Sequence, residues 1–294
     1  MNQDWIRILH PEILPRLGKI RHVLLDFDGT LSVLRQGWED IMLPVMVEAI
    51  CGPTPRADIE QEVSDYIDRS TGILTIRQMQ WLAEAVRRHG LVPQVLTAGE
   101  YKALYLSRLM VFVRQRITRL QGGQAAPAGF LVAGSQEFVS GLVGRGIRVY
   151  LASGTDHDDV AREAEALGLL DYFNGDVYGA LDHNENHTKE RVIQRILDEN
   201  GLSGDELVVV GDGPVEIREG ALRQALTLGV ASDEVARSGW NARKVERLGA
   251  AGADLLVADF THARELIALL CEPSAARVFE TGCMPQNNVN KEIE

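Results

Sequence analysis

The sequence predicts an α/β fold in which a parallel sheet carries helices on both faces and an all-helical segment is inserted after the first strand. Two observations predict it. From about residue 130 to residue 271, short apolar runs alternate with amphipathic segments, a pattern typical of a parallel sheet covered on both faces. One further apolar run, Val23 to Leu25, precedes this series and is separated from it by a long helical stretch.

The first strand lies in "RHVLLDFDGT" and ends in acid, glycine and threonine, which indicates a buried strand that leads into a functional loop. Amphipathic helical patterns follow from about residue 37 to residue 121, and "QGGQAAPAG" at 121–129 interrupts them with glycine and proline. We therefore expect a core of residues 1–32 and 125–271, a helical domain of residues 33–124, and a flexible tail of residues 272–294.

The second part of the core is predicted in the same way, strand by strand. Apolar runs with turn residues at their ends predict strands, and segments with helical spacing predict helices. The predicted strands lie at 147–153, 206–212, 226–232 and 253–259. The predicted helices lie near 136–143, 158–167, 215–224, 242–248 and 263–270, with a further helix that begins at Lys189.

The insertion has a predictable position because it follows the first strand directly. It should lie over the carboxyl edge of the sheet, where open α/β sheets bind ligands, and act there as a lid. Side chains of the lid and of the loop that enters it are candidates for substrate specificity. These candidates are Arg35, Trp38, Glu39, Thr71, Gly72 and Tyr105.

Composition restricts the class of protein. The chain has 294 residues, 45% hydrophobic and 24% charged, which is typical of one large or two ordinary globular domains. Its net charge of -12 disfavours nucleic acid or an anionic membrane surface as a partner. No apolar run approaches the roughly 18 residues of a membrane span, and the N-terminal residues lack the apolar stretch of a signal peptide. We therefore expect a cytoplasmic protein.

The cysteines point to no special chemistry. Cys51, Cys271 and Cys283 are an odd number, lie far apart, and form no CxxC pattern. Neither a disulfide framework nor a zinc site is expected from them.

Two carboxylates, Asp26 and Asp28, follow the first strand and are themselves followed by Gly29 and Thr30. Both acids can face one site if the chain leaves extended geometry there, and glycine permits this. The pattern D-x-D-G-T is expected by chance in only about 0.3% of chains of this length. A turn capped by threonine is the alternative explanation, and the pattern favours a functional site.

Three further segments place polar residues at turns. Ser153 and Gly154 end a predicted strand, where a hydroxyl and free N–H groups favour anion binding. Lys189 opens a helix, where the helix dipole disfavours a cation, so an anion is expected nearby. Asp212 follows another strand, with Glu216 one helical turn further on. Each segment alone also fits a helix cap, an exposed lysine or an isolated acid.

Taken in chain order, these four segments resemble the four motifs of the haloacid dehalogenase superfamily of phosphohydrolases. "DFDGTLS" is similar to the first motif, "LASGT" to the second, Lys189 to the third and "GDGPVE" to the fourth. The resemblance spans roughly residues 20–270 and implies a Rossmann-like core. A helical insertion between the first two motifs resembles the type C1 cap of phosphoglycolate phosphatase and β-phosphoglucomutase.

The resemblance implies Mg²⁺-dependent hydrolysis of a small organic phosphate, a sugar phosphate or a phosphoglycolate-like ester, through an aspartyl-phosphate. Asp26 would be the nucleophile and Asp28 the general acid and base. Ser153, Gly154, Lys189 and Thr30 would bind the phosphate. The metal ligands would come from Asp26, the carbonyl of Asp28, Asp212 and Glu216.

The fourth motif departs from the family pattern, because Glu216 stands where a second aspartate is common. Glu216 could bind the metal directly, hold it through water, or pair with Lys189.

Two other functions stay open at this point. A phosphosugar mutase uses the same aspartates and keeps the phosphoryl group, and a binding module could keep the pocket without turnover. The presence of Asp28 disfavours dehalogenases, P-type ATPases and phosphonate hydrolases within the superfamily. The sequence has no GxxxxGK and no GxGxxG after a strand, which disfavours nucleotide kinases and dinucleotide enzymes. No oligomeric state is predicted.

Overall fold

A computed structural model describes residues 2–181 and 188–275 of the protein. Within these ranges eight strands form one sheet, in the order β1-β2-β8-β7-β6-β3-β4-β5. The strands are β1 (Asn2–Gln3), β2 (Ile6–Ile8), β3 (His22–Leu25), β4 (Arg148–Asp156), β5 (Val177–Ala180), β6 (Leu207–Gly211), β7 (Leu226–Val230) and β8 (Leu255–Val257).

Ten α-helices accompany the sheet in the described residues. Four of them follow β3 without an intervening strand: α1 (Trp38–Cys51), α2 (Ala57–Ser70), α3 (Thr75–His89) and α4 (Ala98–Gln121). The others alternate with the later strands: α5 (Ser135–Gly144), α6 (His157–Ala166), α7 (Lys189–Asn200), α8 (Pro214–Leu222), α9 (Ala242–Ala250) and α10 (Ala263–Cys271). No helix within the described ranges is long and apolar enough to cross a membrane.

The six strands from β3 to β8 run parallel, and β3 lies between β4 and β6. In this register Val23 is the partner of both Val149 and Val208. Every residue of β6 and β7 is buried, as expected for strands covered by helices on both faces. The predicted α/β class with a mostly parallel sheet is therefore confirmed.

The structure differs from the prediction at both sheet edges. β1 and β2 add an antiparallel pair beside β8, where Ile6 is the partner of Val257, and β5 extends the other edge. These strands have two, three and four residues, too few to establish an alternating pattern in sequence. The division into core and cap domains stays a prediction, and the predicted tail lies outside the described residues from position 276 onward.

One strand is longer than predicted. β4 continues to Asp156 rather than ending near Ser153, and its register against β5 shifts between Ala152 and Asp156. Ser153 and Thr155 consequently belong to an irregular stretch of strand, and both are buried. The irregular stretch brings two hydroxyl side chains to the carboxyl end of β3.

The backbone at Gly134, just before α5, generates a stability prediction. Its φ is 76°, and a Cβ atom there would lie 2.0 Å from the carbonyl oxygen of Phe260. Gly134→Ala should therefore lower the free energy of unfolding by about 3 kcal/mol, because it adds a backbone clash to an unfavourable φ. Urea denaturation would measure this loss.

Gly146 provides the matched control. Its φ is 74°, and a Cβ atom there would have no neighbour within 4 Å. Gly146→Ala should cost only about 1 kcal/mol, from backbone strain alone. Equal losses in the two variants would contradict the packing inferred between Gly134 and Phe260.

Candidate active site

The site begins where β3 ends. The Asp26 N–H donates a hydrogen bond to the Val210 carbonyl at 2.9 Å, so Asp26 continues the sheet register beside β6. The chain then turns at Gly29, whose φ is 77°. A Cβ atom at Gly29 would lie 2.3 Å from Asp212 Oδ2. Glycine is therefore required here by both the backbone conformation and the close approach of the loop after β6.

Thr30 ties these two loops together. Its hydroxyl accepts a hydrogen bond from the Asp212 N–H at 3.0 Å and donates to Asp26 Oδ2 at 3.1 Å. Thr30 is fully buried. The sequence interpretation made Thr30 a phosphate-binding residue, whereas the structure places its side chain between two site carboxylates, away from the cavity lining.

Lys189 is held between two carboxylates. Its Nζ lies 2.7 Å from Asp26 Oδ1 and 2.8 Å from Glu216 Oε2. Burial alone would lower the pKa of Lys189, but the charges of Asp26 and Glu216 raise it above its usual value. The second Glu216 oxygen accepts a hydrogen bond from the Gly213 N–H at 2.7 Å. In the structure Glu216 therefore pairs with Lys189, which is one of the three roles open for it.

Three carboxylates lie close enough to share a cation. Oxygen atoms of Asp26, Asp212 and Glu216 all lie within 4.8 Å of one another, and the three residues are buried. Burial raises the pKa of Asp26 well above its usual value, and the charges of Glu216 and Asp212 raise it further against the effect of Lys189. This is a hard, all-oxygen donor set with unbalanced negative charge, which fits Mg²⁺. The side chain of Asp28 does not belong to this group.

Asp28 has its own partners. Its Oδ2 accepts hydrogen bonds from Ser153 Oγ at 3.2 Å and from Thr155 Oγ1 at 3.0 Å. Its Oδ1 is buried without a hydrogen-bond partner in the described residues and lies 3.8 Å from Arg35 Nε. The two aspartates after β3 thus have different partners: Asp26 contacts Lys189 and the Thr30 hydroxyl, and Asp28 accepts hydrogen bonds from the other two hydroxyl groups. Thr155 was not among the predicted site residues.

Arg35 is fixed by a residue that sequence reasoning missed. Its Nη2 lies 2.6 Å from Glu163 Oε1, and its Nε donates to both Glu163 oxygens at 3.1 Å. Both side chains are buried. Burial raises the pKa of Glu163 to about 7, although the charge of Arg35 acts in the opposite direction. Nothing in the spacing of α6 distinguishes Glu163 from an ordinary helical acid, so this pair was not predictable.

A cavity of about 70 Å³ lies between the helical insertion and the core. On the core side Asp26, Asp28, Ser153, Gly154, Thr155 and Asp212 line it. Five of the six specificity candidates line the opposite side: Arg35, Trp38, Thr71, Gly72 and Tyr105. Glu39 does not line it and instead lies 4.0 Å from Arg247 Nη1. The structure therefore brings together the first, second and fourth motifs around one space, with Lys189 behind Asp26.

The backbone of the loop between α2 and α3 packs closely against the core at this cavity. A Cβ atom on Gly154 would lie 2.3 Å from the Ile73 carbonyl oxygen. A Cβ atom on Gly72, whose φ is 96°, would lie 2.4 Å from Glu216 Oε2. Both glycines are therefore required for the close contact between the inserted helices and the carboxyl edge of the sheet.

Helix α9 supplies two cations to the same site, and neither was among the predicted site residues. Lys244 Nζ lies 2.8 Å from Asp212 Oδ2 and 2.8 Å from Glu234 Oε1. Arg247 Nη2 donates to the Asp212 carbonyl at 3.0 Å. Burial would raise the pKa of Asp212, but Lys244 and Arg247 lower it below its usual value. The available signal was a pair of basic residues one helical turn apart.

The family of the chain is shown by comparison with known sequences. Residues 20–222 match the family described as haloacid dehalogenase-like hydrolase. Because this match covers more than half of the chain, the chain belongs to that hydrolase family, and the predicted superfamily is confirmed. No curated protein matches this chain.

Several solved structures share the fold. A predicted phosphatase from Clostridium acetobutylicum is 17% identical with a TM-score of 0.56, and the match covers 85% of this chain and 99% of that one. A predicted phosphoglycolate phosphatase from Haemophilus somnus 129pt is 15% identical, with a TM-score of 0.55 and coverage of 84% and 98%. β-Phosphoglucomutase from Clostridium difficile is 12% identical, with a TM-score of 0.56 and coverage of 89% and 99%.

The buried pair of Arg35 and Glu163 generates a pH prediction. The folded protein raises the pKa of Glu163 from 4.5 to about 7, so between these values the folded state binds more protons than the unfolded state. Stability contributed by protonated Glu163 is present below pH 4.5 and is lost as the pH rises to about 7. Relative to Glu163→Gln, the wild type should therefore lose roughly 2 to 3 kcal/mol of unfolding free energy over this range.

Chemical denaturation at several pH values would measure the difference. Glu165→Gln, on the exposed face of the same helix, controls for the loss of one negative charge. A constant difference between wild type and Glu163→Gln across this range would contradict the inferred effect of burial.

Proposed function

We propose that the protein is a Mg²⁺-dependent phosphatase that hydrolyses a small organic phosphomonoester through an aspartyl-phosphate on Asp26. The observation that carries this proposal is that Asp26 and Asp28 line one cavity while having different partners. Asp26 is paired with Lys189, and Asp28 accepts hydrogen bonds from two hydroxyl groups. Two carboxylates in different surroundings can serve as nucleophile and as proton carrier.

In the first step, a carboxylate oxygen of Asp26 attacks the phosphorus atom of the ester. The bond from phosphorus to the ester oxygen breaks, and that oxygen takes a proton from protonated Asp28 and leaves as an alcohol. The products are an aspartyl-phosphate on Asp26 and the carboxylate of Asp28. Ser153 and Gly154 line the cavity, and the Ser153 hydroxyl and the Gly154 N–H would bind the transferring phosphoryl oxygens.

In the second step, a water molecule replaces the alcohol. Asp28 takes a proton from this water while the water oxygen attacks phosphorus, and the bond from phosphorus to Asp26 breaks. Inorganic phosphate leaves, Asp26 returns to its carboxylate form, and Asp28 is again protonated. The hydrolysis is thereby divided into two displacements at phosphorus, and the enzyme returns to its starting protonation state.

Asp26, Asp212 and Glu216 are the residues that would hold the divalent cation, since their oxygens lie within 4.8 Å of one another. When bound, Mg²⁺ supplies positive charge that offsets the repulsion between a carboxylate and a phosphate. Lys189 supplies a further positive charge at Asp26. The negative charge of the acidic cluster exceeds the positive charge of its lysines, so a bound divalent cation would neutralise the remainder.

The helical insertion has two roles in this proposal. Its loop at Gly72 and Ile73 lies against Gly154 and Glu216 and limits access of water to the aspartyl-phosphate. Its side chains, with Trp38, Thr71 and Tyr105 at the cavity, would contact the alcohol part of the substrate. For substrate entry and product exit the insertion must open, as a lid.

Incubation with p-nitrophenyl phosphate, hexose phosphates and phosphoglycolate tests the proposal by measuring released inorganic phosphate. We expect phosphate release with Mg²⁺ and none after chelation with EDTA. Asp26→Asn should release none, because it removes the nucleophile. Asp198→Asn, the same change on the exposed face of α7, should retain wild-type turnover.

Two results would contradict the proposal. Full phosphate release in EDTA from metal-free protein would remove the requirement for a divalent cation. Isomerised hexose phosphate without phosphate release would identify a mutase in place of a phosphatase.

A further inference from the structure

Lys244 occupies a position that normally disfavours a lysine. It lies in the first turn of α9, where its N–H donates a hydrogen bond to the side chain of the N-cap residue Asn241 at 3.1 Å. The helix dipole is unfavourable for a cation there, and Lys244 is only 6% exposed. Both costs must be offset by anions, and the two anions that its Nζ contacts are Asp212 and Glu234, each at 2.8 Å.

The Asp212 contact involves the carboxylate that the proposed metal site needs. Lys244 Nζ contacts Oδ2 of Asp212, and the Thr30 hydroxyl lies 3.4 Å from Oδ1. Arg247 donates to the main-chain carbonyl of the same residue. A divalent cation bound by Asp212 would therefore have to share this carboxylate with Lys244, a like charge a few ångströms away.

The charges around Asp212 determine whether Lys244 favours or opposes the binding of a cation. The two lysines that bridge the cluster, Lys189 and Lys244, meet four carboxylates: Asp26, Asp212, Glu216 and Glu234. When all six groups are ionised, they carry an excess of two negative charges, which one divalent cation would balance; the nearby Arg247 is paired with Asp68. Removal of Lys244 would leave an excess of three, and removal of the Glu234 charge would leave an excess of one.

We propose that Lys244 is a positioning residue that holds Asp212 when no divalent cation is bound and competes with Mg²⁺ for its carboxylate. Glu234 gives the ammonium group a second acceptor, so Lys244 can loosen its contact with Asp212 without becoming a buried, unpaired charge. Lys244 thereby keeps the acidic cluster in place in the metal-free protein, and it lowers the affinity of the protein for Mg²⁺. The inference rests on the Mg²⁺ site of the proposed function.

Calorimetric titration of Mg²⁺ into metal-free protein tests the inference without any activity assay. Lys244→Met should bind Mg²⁺ about tenfold more tightly, because a positive charge near the cation is removed. Glu234→Gln should bind Mg²⁺ several-fold more weakly, because Lys244 then depends on Asp212 alone. Arg243→Met is the matched control, since Arg243 lies on the same helix but is exposed and pairs with Asp68. It should leave the affinity unchanged.

A purely structural role for Lys244 would produce a different result. Unchanged or weaker Mg²⁺ binding by Lys244→Met would overturn the inference, while Mg²⁺ binding by the wild type would leave the proposed function intact. If neither the wild type nor any variant binds Mg²⁺, both the inference and the metal dependence of the proposed function are wrong.

A second variant keeps the test decisive if Lys244→Met fails to fold. The double variant with Lys244→Met and Glu234→Gln removes both charges of that pair, so Glu234 is not left as a carboxylate without its lysine. It should bind Mg²⁺ more tightly than Glu234→Gln alone. Equal or weaker binding by the double variant would overturn the inference.

Discussion

Buried carboxylates at the end of the parallel sheet impose the main constraint on this protein. Asp26, Asp212 and Glu216 lie within a few ångströms of one another, and an isolated buried carboxylate would be too costly to keep ionised. Lys189 and Lys244 each bridge two acids and so offset part of this cost. The arrangement requires that β3, β6 and β7 end at the same edge and that α7 and α9 begin there.

The same constraint explains why the loops are so closely packed. Gly29, Gly72 and Gly154 each allow a backbone to approach a site atom at a distance that a Cβ atom would prevent. Water is thereby limited around the carboxylates, and the electrostatic interactions among them become stronger than they would be in solvent. The inserted helices contribute to the site through this exclusion as well as through the side chains that line the cavity.

Much of this architecture was predictable because it depends on local pattern. Alternating apolar runs predict β3, β4, β6, β7 and β8, and the resemblance to the four family motifs predicts one site formed by Asp26, Asp28, Ser153, Lys189 and Asp212. The short strands β1, β2 and β5 were missed because so few residues show no periodicity.

Glu163 and Lys244 were missed for a different reason. They lie on helices whose sequences look like ordinary amphipathic surface, and only tertiary packing brings Glu163 to Arg35 and Lys244 to Asp212. Likewise, the extension of β4 that brings Thr155 to Asp28 depends on the pairing of β4 with β5 and has no counterpart in the local sequence.

The central claim is that Asp26 carries the phosphoryl group during turnover, and trapping that intermediate tests it most directly. Wild-type protein mixed with Mg²⁺ and a turned-over phosphate ester would be quenched in acid, digested and analysed by mass spectrometry. The account predicts one phosphoryl group on the peptide that contains Asp26, located at that residue by fragmentation. A phosphoryl group on another residue, or turnover with no phosphorylated peptide at any quench time, would contradict it.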